Sequence, residues 1–120
     1  MPASIKQRAI TLSEVCNLLK AEVFCGDELS VKVNEAGAAD LMSDVLASSK
    51  PGMLLLTGLV NTQVIRTAIV ADLCGVVLVR GKKPSEDIIA LAQEARIPVM
   101  GTALTMFEAA GLLYGALYGG

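Results

Sequence analysis

Three segments of this chain share one grammar. Met53–Gly58 (MLLLTG), Val76–Gly81 (VVLVRG) and Pro98–Gly101 (PVMG) are apolar runs that end on a glycine, and each leads through a short loop into a helix with an N-terminal cap. The closing glycines Gly58, Gly81 and Gly101 stand 23 and 20 residues apart. A continuous apolar run bounded by turn residues reads as a strand buried on both faces. Strand–helix–strand units repeated in this way require a parallel sheet, right-handed crossovers and helices packed on the sheet. The fold class is therefore α/β with a mostly parallel central sheet.

Capping signals set the helix boundaries. Thr11 with Glu14, and Thr105 with Glu108, have the form of capping boxes. Asn61 is the N-cap expected for a helix running to about Leu73, with Val64, Ile65, Ala68 and Ile69 on one face. Pro84 is expected at the first position of a helix reaching Arg96, with Glu86 and Asp87 in its first turn. The amino-terminal half reads as helix 12–20, a strand Ala21–Cys25, and a half-exposed strand Leu29–Asn34 broken by Gly37. A helix 40–48 follows, with Leu41, Val45 and Leu46 inward.

Composition removes several chemistries. Hydrophobic residues make up 53% of the 120 residues, with two Phe, two Tyr and no Trp, so the core is aliphatic. There is no histidine, the commonest general base and metal ligand. Cys16, Cys25 and Cys74 are too far apart for a zinc or cluster motif and read as small buried hydrophobes. No catalytic set, metal site or cofactor is expected; Asp40 and Asp44, one helical turn apart, read as an exposed acidic face. A net charge of −2 and the scarcity of aromatic rings argue against nucleic acid. No segment is a clean bilayer span, so no membrane partner is expected. Three cysteines without a signal peptide fit a reducing cytoplasm.

Gly75 to Pro84 (GVVLVRGKKP) superficially resembles a phosphate-binding loop. A P-loop, G-x-x-x-x-G-K-S/T, keeps its glycines in one loop after a strand. Here Gly75 precedes the strand and Gly81 follows it, and Lys83 replaces the magnesium-binding hydroxyl. Gly81 serves the turn. A broader possibility remains, because ligands gather at the carboxyl ends of parallel strands. Thr57, Gly58, Asn61, Arg80, Gly81, Lys82, Gly101, Thr102 and Thr105 all fall there, beside three helix N-termini. Together they suit a small anion or nucleotide. The competing reading makes Asn61 and Thr105 simple caps and Lys82 part of a solvated turn.

The last helix carries Gly111-Leu-Leu-Tyr-Gly115-Ala-Leu-Tyr-Gly119, a double small-xxx-small pattern. Glycines in a helix cost stability unless backbones approach closely. Gly111, Leu113, Tyr114, Gly115, Leu117 and Tyr118 are the candidate interface of a homodimer, or for another protein partner.

LLLTGLVNTQVIRTA, VVLVRGKKPSEDIIALAQEARIPVM and TALTMFEAAGLLY resemble the DRTGG-type domain and the related amino-terminal domain of HPr kinase/phosphorylase. The likeness runs from Leu12 to Tyr114, although a literal D-R-T-G-G is missing. It implies a three-layer α/β/α sandwich forming one domain over residues 1–120, with its core at about 11–118. It also implies a regulatory role: such domains stand beside CBS domains and in some phosphotransacetylases. In the kinases a separate catalytic domain carries the P-loop, so no kinase activity is expected. The reading is a non-catalytic regulatory domain sensing a small anionic metabolite or nucleotide. Its alternative is an oligomerisation adaptor acting through the last helix.

Overall fold

The computed structural model describes residues 8–119. In chain order the elements are β1 (Ile10–Thr11), α1 (Leu12–Leu19), β2 (Glu22–Cys25), β3 (Lys32–Val33), β4 (Ala36–Ala38), α2 (Met42–Ser48), β5 (Leu54–Thr57), α3 (Thr62–Ala71), β6 (Gly75–Leu78), α4 (Glu86–Ala95), β7 (Val99–Gly101) and α5 (Met106–Tyr118). A five-stranded sheet has the order β2-β7-β6-β5-β4. β4 to β7 run parallel, and β2 pairs antiparallel with β7. A separate short pair joins β1 to β3.

Successive residues of a strand face opposite sides of a sheet, and both sides here are apolar. Leu55, Val76, Leu78 and Val99 face α2, α3 and α4, meeting Val45, Ile65 and Ile88. Leu54, Leu56, Val77, Val79 and Met100 face α1 and α5, meeting Val15, Leu19, Ala109, Leu113 and Leu117. The result is three layers: α2/α3/α4, sheet, α1/α5. No helix among the described residues is long and apolar enough to cross a membrane.

Both capping boxes form. The Thr11 and Thr105 hydroxyls each accept from the amide three residues on at 3.1 Å, and the Glu14 and Glu108 carboxylates accept from the Thr11 and Thr105 amides at 3.0 Å. These backbone hydrogen bonds, with the hydroxyl contacts second, hold both carboxyls below their ordinary value of 4.5.

Several details depart from the sequence expectation. In Leu29–Asn34 only Lys32–Val33 is a strand, and it lies outside the main sheet. The preceding carbonyls are used elsewhere: those of Val31 and Leu29 accept from Leu12 and Ser13, amides of the first turn of α1, at 3.0 Å each. Gly37 does not break the chain; it is the middle of β4, whose pairing with β5 satisfies the backbone. Leu41 and Leu46 are exposed because α2 starts at Met42, turning Met42 and Val45 inward. Asp40 consequently lies outside that helix and does not share a helical face with Asp44. Ile69 is exposed and Thr67 buried, because α3 is contacted by α2 and α4 as well as by the sheet. Pro84 precedes the cap, which is Ser85. Leu113 and Leu117 are each 1% exposed and belong to the domain's own core, which leaves Gly111, Tyr114 and Gly115 as the exposed members of the candidate interface.

Two outcomes follow. Ile65→Ala and Leu113→Ala should each cost about 2–5 kcal/mol in chemical denaturation, whereas exposed Leu46→Ala should stay within about 0.5 kcal/mol. The glutamate caps, with lowered folded-state pKa values, add stability that is fully present above the unfolded value near 4.5 and is lost as pH falls through the folded one. The double variant Glu14→Gln/Glu108→Gln should therefore show a flatter acid limb in a Tm-against-pH series.

Candidate functional site

Each parallel strand hands its chain to a helix at the same edge of the sheet. The direction of that hand-off changes once. β6 leads to α4, packed on the α2/α3 face, whereas β7 leads to α5 on the other face. Adjacent parallel strands whose connections part to opposite faces open a crevice at their carboxyl ends, where α/β sheets place ligands. In this chain the two segments at that switch point are Arg80–Lys82 and Thr102–Thr105.

Backbone bonds hold the two lips together. Arg80 N–H donates to the Leu104 carbonyl and Gly81 N–H to the Thr102 carbonyl, both at 2.8 Å. Arg80 and Gly81 take successive left-handed conformations, with φ of +63° and +71°. Glycine adopts this freely, but an arginine there costs roughly 1–2 kcal/mol. Lys20, Asp72 and Arg96, the other left-handed non-glycine residues, are helix C-caps; Arg80 is not. Its guanidinium lies over Gly58, so close that a methyl group there would stand 2.5 Å from Nη2. Gly58 thus makes room for Arg80, which reaches from the end of β6 to the end of β5.

The neighbouring position already holds an anion from the chain itself. Asp40, just beyond β4, accepts through Oδ1 from Gly58 N–H at 2.7 Å and from Thr57 Oγ1 at 3.2 Å. Sequence reasoning missed this residue because β4 was not recognised as a strand; an Asp at a strand's carboxyl end was the available signal.

The remaining candidates divide by burial. Thr57 and Thr102 are buried and their hydroxyls are used internally: Thr57 Oγ1 also accepts from Leu59 N–H, and Thr102 Oγ1 donates to the Leu19 carbonyl at 2.7 Å. Gly101 lies within β7, where a side chain would collide with the Phe24 ring. Asn61 and Thr105 cap α3 and α5 by accepting from Val64 and Glu108 amides. Arg80, Gly81 and Lys82 are exposed at the crevice. Lys83 is 4.0 Å from Glu22.

Another hollow lies elsewhere. A cleft of about 550 Å³ at the amino ends of the parallel strands is lined by Cys25, Gly26, Asp27, Glu28, Gln93, Arg96 and Pro98. Two carboxylates beside one guanidinium make it a poor anion receptor. Burial raises all three thiols, with Asp27 adding to the effect at Cys25, and pushes Cys74 up to about 11.

A mostly parallel sheet whose connections part at β6/β7, with helices on both faces, defines a small three-layer α/β architecture. The DRTGG domain model matches residues 14–116, and the chain belongs to that family. Among solved structures it is similar to the CBS and DRTGG domains of the regulatory region of Clostridium perfringens pyrophosphatase, complexed with its activator diadenosine tetraphosphate. The match has a TM-score of 0.76 and 21% identity, and covers 90% of this chain and 47% of that one. The chain thus spans about half the length of that regulatory region. No curated protein matches.

If Arg80 occupies its strained position for a ligand rather than for stability, Arg80→Gly should raise unfolding free energy by about 1 kcal/mol. Urea denaturation checks this; a loss of stability would show that the guanidinium over Gly58 is a structural strut.

Proposed function

We propose that this chain is a non-catalytic regulatory domain that senses a small anionic metabolite or nucleotide at the β6/β7 crevice. The observation that carries the reading is Arg80, a left-handed residue at the point where the strand connections part, with Lys82 next to it. Arg80 supplies a planar donor fork and Lys82 a mobile point charge, a combination suited to phosphate or carboxylate. The pyrophosphatase regulatory region, similar in fold, is complexed with an activator that is itself a polyphosphate nucleotide. Binding works by displacement as much as by attraction: an incoming anion near Gly58 competes with the Asp40 carboxylate for the same amide. Such competition gives the domain a way to report occupancy, because Asp40 links the end of β5 to the start of α2.

A second reading rests on α5. Its outer face exposes Phe107, Leu112 and Tyr114, an apolar surface suited to a protein partner. Charge placed at Tyr114, rather than at the buried Leu113 or Leu117, is the variant that tests that adaptor role.

The test is a thermal-shift screen with nucleotides, acyl phosphates, sugar phosphates and simple anions. A ligand at a hundredfold excess over its Kd should stabilise the native state by about 2.7 kcal/mol. The shift should be lost in Arg80→Ala, weakened in Lys82→Ala and retained in Arg96→Ala, which alters only the opposite cleft. A shift abolished by Arg96→Ala and indifferent to Arg80→Ala would overturn the assignment.

A further inference from the structure

The two edges of the five-stranded sheet are built differently. β2 carries the exposed Glu22 and an irregular register between Val23 and Cys25, and Lys83 from the loop after β6 lies 4.0 Å from Glu22. Charge and bulges are devices that keep another strand from adding to a sheet. β4, the opposite edge, reads Ala36-Gly37-Ala38, with a continuous register and neither charge nor proline. Its pairing with β5 uses alternate residues: Leu54 N–H donates to the Glu35 carbonyl at 3.0 Å, and Ala39 N–H to the Leu56 carbonyl at 3.1 Å. By that alternation Ala36 and Ala38 turn their N–H and C=O groups away from the sheet.

Among the described residues no strand pairs with this edge, and a groove lies on each side of it. Between β4 and α5 an apolar hollow of about 120 Å³ is lined by Ala36, Ala38, Leu56, Leu113, Tyr114 and Tyr118. The two tyrosine rings meet at a tilt of 38°, with centroids 5.0 Å apart. A smaller hollow of about 60 Å³ opens on the other face beside Gly37, Val45 and Met53.

We propose that the β4 edge docks a second copy of this chain, antiparallel, about a two-fold axis through Gly37. Two five-stranded sheets thereby become one. The register follows from hydrogen-bond phase. An antiparallel ladder needs residues with outward groups directly opposite one another, and centring on Gly37 sets Ala36 against the second copy's Ala38 and Ala38 against its Ala36. Each pair exchanges two bonds, four in all. Charge is compatible too: Glu35 falls opposite Ala39, and Asp40 opposite Asn34, so no two carboxylates face each other across the pair. Glu35 is also offset by Lys50 at 3.7 Å.

Four hydrogen bonds do not by themselves offset the freedom lost on association. A two-fold axis normal to the sheet keeps both α5 helices on the same face, so Tyr114 and Tyr118 of the two copies flank the junction and close the apolar grooves. The inference deepens the α5 reading by naming its partner and register, and is independent of the anion site.

Sedimentation equilibrium and cross-linking test it. The unmodified chain should be a dimer. Ala38→Pro removes an outward N–H without touching a bond to β5, and symmetry deletes two bonds per dimer. Dimerisation should weaken about tenfold or more, with an unchanged far-UV CD spectrum. In the proposed register the Gly37 residues form a non-hydrogen-bonded pair with Cα atoms about 4.5 Å apart, within disulfide range. Gly37→Cys should therefore cross-link rapidly in oxidised glutathione, well above the unmodified chain and above Ala36→Cys, which has no like residue opposite. A chain that is monomeric at all concentrations overturns the proposal. So does an Ala38→Pro dimer of unchanged affinity, which would leave α5 as a self-contained interface, or equal cross-linking at 36 and 37.

Discussion

Every residue of β5 and β6 is buried, and successive side chains of each strand serve different cores. That two-sided burial is the constraint on which the rest depends. It requires helices on both faces, and it rules out a solvated side of the central sheet. It also confines accessible polar groups to strand ends and edges. Function in such a domain therefore belongs to the carboxyl edge, where loops and helix N-termini meet, or to the lateral edge strands.

At the carboxyl edge the domain keeps its polar groups closely partnered. Thr57 and Thr102 look like ligand groups in the sequence, but their hydroxyls tie Asp40 to β5 and α1 to β7. Arg80 differs. It accepts a left-handed backbone, is exposed, and lies across Gly58, whose amide is already held by the Asp40 carboxylate. Arg80 and Asp40 both approach Gly58, and under the proposed function an anion bound by the arginine would compete with the aspartate for the Gly58 amide. In this account sensing changes the acceptor held by that amide and is relayed to α2 through Asp40.

Much of this architecture was legible in the sequence. The repeated strand–glycine–helix units, both threonine–glutamate boxes and the Asn61 cap depend on local chemistry, and all appear where the residues put them. The errors came where tertiary contacts decide. Ala36–Ala38 has no strand-forming side chains and became a strand because β5 offers backbone partners. Leu113 and Leu117 were read as interface residues because a glycine-rich helix suggests a close partner; both leucines pack on the domain's own sheet, whereas Gly111 and Gly115 are exposed with no described neighbour against them. The role of Asp40 depended on seeing β4, so one missed strand concealed both the internal carboxylate and the second edge of the sheet. The split of the β6 and β7 connections to opposite faces is likewise a property of topology, invisible in the spacing of the glycines.

The most direct measurement of the central claim is an amide chemical-shift titration of the isotopically labelled chain with the anion that gives the largest stabilisation. The account predicts that perturbations concentrate at Gly58, Arg80–Lys82 and Thr102–Thr105, with a smaller response at Asp40 and the start of α2 as the internal carboxylate is released. Perturbations centred on Gly26, Asp27, Arg96 and Ile97 would contradict it and move the ligand to the cleft at the opposite end of the sheet.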